Sequence, residues 1–159
     1  MRTTMERIFQ CCALCLGLAL PRLAQAHGDL GLGVVLGDPS GLSGKVWMDS
    51  EHAVDFSLGT FGYYVGQPYT GINVHADYLW HRYGVFGNRS TDVGRKLPLY
   101  VGAGGLLASP GVVGARGVIG VTYLFDQPFD VFLELAPTLI LAPGPGFGID
   151  LGLGGRFYF

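Results

Sequence analysis

Three cations and five carboxylates recur at alternate positions of otherwise apolar runs. Lys45, Arg116 and Arg156 stand against Asp55, Asp77, Asp130, Glu134 and Asp150, and His75 and His81 share their side. Read with a period of two, each falls on the face opposite the large aliphatic side chains. A charge enclosed by protein is costly unless an opposite charge meets it. The pattern therefore predicts an ionic network filling an interior, which is a structural role. The functional alternative for the same residues is an ion pathway or gate.

Other chemistries are weaker. Ser57, His75 and Asp77 share a face, as a nucleophile, base and orienting acid for acyl transfer to or from lipid would. They fall in the middle of their runs, however, and no His-x-Ser pair occurs anywhere in the chain. His27 would become a terminal amine plus imidazole, a copper-chelating pair, if the chain were cut after Ala26. No spacing singles out His52, His75 or His81 as the second ligand such a site needs. Gly102-x-Gly104-Gly105 follows a strand-like run, but no helix comes after it, so no phosphate cradle is implied. Asn88-Arg89-Ser90 reads only as a polar loop. The expectation is no catalysis, no cofactor and no metal.

The elements that position these residues follow from composition and period. Of 159 residues, 49% are hydrophobic, 14% are charged and 27 are glycine. A polar disordered chain is excluded, since such chains are poor in apolar residues and rich in charge. The glycine content argues against a mainly helical fold, because glycine costs about 1 kcal/mol inside a helix. A formal net charge of -2 leaves no basic excess for nucleic-acid phosphates.

Residues 1–26 read as a cleaved secretory signal peptide. Arg2 and Arg7 precede an apolar stretch from Ile8 to Leu20, Pro21 breaks it, and Ala24-Gln25-Ala26 is a small-x-small cleavage site. The stretch is too short for a spanning helix, which needs roughly 20 residues. Cys11, Cys12 and Cys15 all fall within it, so the remaining chain, 27–159, has no disulfide and no cysteine nucleophile.

That remainder reads as eight strands of roughly 9–13 residues in up-and-down order. In the last, Phe147, Ile149, Leu151, Leu153, Phe157 and Phe159 oppose Gly148, Asp150, Gly152, Gly154, Arg156 and Tyr158. Earlier runs repeat the scheme, as where Ile72, Val74, Ala76, Tyr78 and Trp80 oppose Asn73, His75, Asp77 and His81. Turn signals such as Gly37-Asp38-Pro39-Ser40-Gly41 and Pro143-Gly144-Pro145-Gly146 separate the runs. The longest connection, Gly84 to Lys96, is the most polar and reads as a mobile loop.

Eight antiparallel strands close into a small barrel, and two kinds fit. A soluble, lipocalin-like barrel carrying an apolar ligand turns its apolar face inward; a membrane barrel turns it outward. Three features favour the second. Glycine on the polar face makes room in a narrow lumen. Aromatic residues (Tyr78, Trp80, Tyr123, Phe125, Phe157 and Phe159) stand at the ends of the apolar face, where rings at both interfaces form girdles. Finally, 14% charge is too little to wet the outside of a soluble protein.

With its signal ending Ala24-Gln25-Ala26 and its final strand ending Arg156-Phe157-Tyr158-Phe159, the chain resembles the small eight-stranded outer-membrane barrels of Gram-negative bacteria, the OmpA- and OmpX-type group. The resemblance spans residues 27–159 and lies in pattern. It implies an all-β, eight-stranded antiparallel up-and-down transmembrane barrel. Phe157 and Phe159 would then be the signal read by the barrel-assembly machinery. The immediate partners would be outer-membrane lipid and lipopolysaccharide, and the protein a monomer without an open pore. A lipid-modifying barrel enzyme is the alternative within that group. The outward-facing connections are short, which removes long adhesive surface loops.

Overall fold

Alternation of large apolar residues with glycine or a polar residue is what a strand with one oily face requires, and the computed structural model forms strands from these runs. It describes residues 28–64, 67–126 and 128–159, with the backbone alone for 61–64 and 67–70. The expected signal peptide and His27 lie outside the described residues.

The strands are β1 (Leu30–Gly37), β2 (Gly41–Trp47), β3 (His52–Tyr64), β4 (Gln67–Arg82), β5 (Leu99–Ala108), β6 (Val112–Leu124), β7 (Phe129–Ala142) and β8 (Gly146–Tyr158). Each pairs antiparallel with the next, and β8 pairs with β1, so the sheet closes and leaves no edge. One rim carries both described ends of the chain and the β2–β3, β4–β5 and β6–β7 connections. We call it the terminal rim, and the opposite one the distal rim.

The faces are sorted as a membrane barrel requires. Leu133, Leu151 and Ile119 point outward at 48%, 54% and 44% exposure, while Arg116 and Asp150 are at 3% and 2% inside. A lipocalin-like barrel would show the reverse. Glycine makes room in two ways. A Cβ at Gly120 would overlap the inward Tyr100 ring, so the glycine lets that ring lie flat against the wall. On the outside, the Phe56 ring covers Gly44, its register partner, and keeps that backbone from being bare.

Four differences from the sequence reading stand out. Strand lengths range from 7 residues in β2 to 16 in β4, wider than the pattern predicts. Among residues with described side chains, the aromatic residues favour one rim. Trp80, Tyr123, Phe125, Phe129, Phe157 and Phe159 gather at the terminal rim, because β4, β6 and β8 all end there. Among residues with described side chains, Phe147 is the exposed ring nearest the distal rim.

The β3–β4 connection is short, but its hairpin projects. β2 pairs with β3 only as far as Gly59, and β5 with β4 only as far as Asn73, while the hairpin continues to Tyr64 and Gln67. Lastly, the β4–β5 segment holds a short helix, α1 (Asp92–Lys96). The Thr91 hydroxyl caps it by accepting the Gly94 N–H at 3.2 Å. Gly84 enters the segment with φ +80, a left-handed conformation suited to glycine. The segment is tied across the rim by Lys96–Asp126 at 2.6 Å and Arg89–Glu51 at 3.1 Å.

Candidate functional site

All ten residues expected on the polar face point into the lumen. Nine are buried, and Glu134 is half-buried. They form two arginine-centred clusters and one lysine pair.

Arg116 on β6 binds three carboxylates from three strands. Its Nε donates to Asp77 on β4 at 3.1 Å, its Nη1 to Asp150 on β8 at 2.7 Å, and its Nη2 to Glu134 on β7 at 3.0 Å. The register explains the reach. Asp77 faces Gly104 on β5, and Gly104 faces Arg116, so the guanidinium passes over a position with no side chain. Thr138 donates to Asp150 at 3.1 Å, and the Tyr100 hydroxyl donates to Glu134 at 3.1 Å.

Arg156 on β8 centres the second cluster. It bonds Asp55 on β3, donates from Nε to Ser43 on β2 at 2.8 Å, and has Asp130 at 3.8 Å. Its guanidinium lies 3.8 Å from the centre of the Phe132 ring, in cation–π contact. Here too a glycine, Gly33 on β1, separates Arg156 from Ser43 in the register. The Tyr158 hydroxyl donates to Asp130 at 2.6 Å. Lys45 lies 2.8 Å from His81 Nε2 and 4.3 Å from the centre of the Trp47 ring.

The hydroxyl and ring partners (Ser43, Trp47, Tyr100, Phe132, Thr138 and Tyr158) were not singled out from the sequence. Strand parity was the available signal, since each falls on the inward-facing parity of its strand. The structure places the three acyl-transfer candidates together on adjacent strands, with His75 Nε2 at 3.9 Å from Asp77 Oδ2. Ser57 and His75 are register partners on β3 and β4, but the Ser57 hydroxyl donates to the Leu42 carbonyl at 2.9 Å. Both are buried, on the lumenal side of the sheet.

The lumen is packed. A void of about 10 Å³, close to the size of one water, lies among Ser57, His75, Glu134, Arg156 and the β1–β2 turn residues Asp38 and Pro39. At the terminal rim, a cavity of about 700 Å³ is bordered by Trp47, Glu51, Arg89, Phe129 and Tyr158. Two carboxylates there, Glu51 and Asp49, are held below their ordinary range. Glu51 accepts from Trp80 Nε1 and Arg89, and Asp49 accepts from the Glu51 and His52 backbone N–H groups and the His52 ring.

An apolar exterior around a closed eight-stranded sheet and a charged lumen define the class: a small up-and-down barrel with the inside-out polarity of membrane barrels. No protein-family model and no curated protein matches the chain. Among solved structures it is similar to the crystal structure of the N-terminal β-barrel domain of Pseudomonas aeruginosa OprF. The TM-score is 0.61 at 19% sequence identity, covering 85% of this chain and 100% of that one. The similarity establishes the shared barrel fold.

Proposed function

We propose that the chain is an integral outer-membrane barrel of a Gram-negative bacterium, exported by the signal peptide of residues 1–26, with a structural role in the envelope and no catalysis. The observation that carries this reading is the inversion of polarity. Aliphatic side chains at mid-height face outward, and three cations and five carboxylates face inward. Only a hydrocarbon surround makes that arrangement favourable.

The packed lumen supports a plug rather than a pore. Eight strands enclose just enough space for side chains, and here the ion pairs use it. The direction of the Ser57 hydroxyl toward a backbone carbonyl supports the non-catalytic reading. Lipid and lipopolysaccharide would contact the exterior, the barrel-assembly machinery would insert the chain, and the absence of a strand edge supports a monomer.

The test is membrane fractionation followed by a denaturing gel with and without boiling. The protein should sediment with the outer membrane, need detergent for extraction and migrate differently after boiling. Solubility of residues 27–159 without detergent would refute the proposal. Reconstitution in planar bilayers should give no regular conductance steps; steady openings would assign the lumen to ion passage instead.

A further inference from the structure

His75 is buried at 5% exposure, yet its Nδ1 has no hydrogen-bond partner among the described residues. Its Nε2 faces Asp77 Oδ2 at 3.9 Å, beyond hydrogen-bond reach. Asp77 is equally buried, and its Oδ1 also has no partner. An enclosed polar atom left unmatched forfeits the hydrogen bonds it would make with water. Native interiors rarely leave two such groups side by side.

Charge adds a second, independent argument. Around Arg156 the charges balance, because Asp55 and Asp130 meet Arg156 and the nearby Lys45. Around Arg116 they do not, because one guanidinium meets Asp77, Glu134 and Asp150. Two unmatched oxygens, Asp77 Oδ1 and Asp150 Oδ1, belong to this cluster, and one, Asp130 Oδ1, to the cluster around Arg156. One ligand atom each from His75, Asp77 and Glu134 lies within 4.8 Å of the other two. The void of about 10 Å³ borders His75 and Glu134.

We infer that His75, Asp77 and Glu134 form a lumenal site for one divalent cation of the zinc class. The donor set selects the metal. Zinc takes imidazole nitrogen together with carboxylate oxygen, whereas magnesium and calcium take oxygen alone. One divalent ion cancels the two surplus negative charges. Asp77 can ligate through one oxygen while the other keeps its bond to Arg116, and Arg116 thereby fixes the ligands. Zinc bonds of about 2.1 Å place tetrahedral ligand atoms about 3.4 Å apart, so binding draws His75 toward Asp77 by a small side-chain adjustment. The inference rests on lumen geometry and stands or falls apart from the membrane assignment.

The test uses the full barrel of residues 27–159 folded in detergent, with His27→Ala and His52→Ala so that His75 and His81 are the remaining histidines. Calorimetric titration with zinc chloride should show one site. The His75→Gln variant should bind about 100-fold or more weakly, since even outer-shell partners of metal ligands are worth 10–100-fold. X-ray absorption of the zinc-loaded parent, which needs no lumen variant to fold, should show one imidazole nitrogen with oxygen neighbours. Failure to bind zinc, undiminished binding in His75→Gln, or a spectrum without imidazole would each overturn the inference.

Discussion

Arg116 Nε and Asp77 Oδ2 meet at 3.1 Å although a whole strand, β5, runs between their backbones. The residue of β5 in that row is Gly104, and its missing side chain is the gap through which the guanidinium reaches. Arg156 and Ser43 repeat the arrangement across Gly33. In both rows, long cation, glycine and short polar partner occupy successive strands. Glycine in this lumen thus lets each arginine staple strands that are not hydrogen-bonded neighbours.

A side chain at Gly104 should therefore unstaple β4 from β6. A Cβ there would overlap the Asp77 carboxylate and the β4 backbone. Gly104→Val should lower the temperature at which the folded gel band converts to the unfolded one. Arg116→Met should do so more strongly, by about 3–5 kcal/mol in urea titration of vesicle-folded protein, because it strands buried carboxylates. Equal stability of Gly104→Val and wild type would show that the row arrangement is incidental.

The Arg156–Asp55 contact can be isolated with a double-mutant cycle. Arg156→Met alone leaves Asp55 and Asp130 without their guanidinium. Adding Asp55→Leu removes one of the stranded charges and should restore part of the loss. A coupling energy of about 0.5–3 kcal/mol is expected for residues in direct contact. Strict additivity would mean that the two act independently.

The fold was legible because one signal, period-two alternation, carries both strand identity and face. Leu151 and Asp150 were assigned to opposite sides from their parity alone, and closure followed from strand number. Contacts across the lumen were not legible. Parity puts Arg116 and Asp77 on one face but says nothing of register, so it cannot tell which carboxylate an arginine reaches. The terminal-rim clustering of rings needed strand direction as well as face. Helix α1 escaped because five residues are too few for a helical stripe; its signal was local, a Thr91 cap followed by Asp92 and closed by Arg95 and Lys96.

The β4–β5 segment should loosen in acid. Glu51 is held below the ordinary carboxylate range by its bonds from Trp80 and Arg89, so the folded form binds its proton less readily than the unfolded chain. Its contribution is complete at neutral pH and is lost as pH falls through the folded value. Hydrogen exchange across 84–97 should be slower at pH 7 than at pH 3 once corrected for intrinsic rates. Arg89→Ala should abolish most of the difference. A segment indifferent to both changes would mean that Lys96–Asp126 and the Thr91 cap hold it without Glu51.

The outward face offers the sharpest discrimination. On a water-soluble barrel, replacing an exposed leucine with arginine changes stability by about 0.5 kcal/mol or less, because the site is already wet. In a bilayer the same change drags a guanidinium into hydrocarbon, costing about 2–4 kcal/mol at mid-height and about 0–1 kcal/mol near an interface. Leu151 lies midway along β8 at 54% exposure, and Phe159 lies at the terminal rim at 66%. Leu151→Arg should therefore destabilise the vesicle-folded barrel several times more than Phe159→Arg in urea titration. In cells the order should invert for assembly. Phe159→Arg should slow insertion, because the terminal Phe157–Phe159 pair is the proposed assembly signal, whereas the same variant refolded into vesicles should be nearly as stable as wild type. If Leu151→Arg proves neutral, the oily exterior faces water and the membrane assignment falls with it.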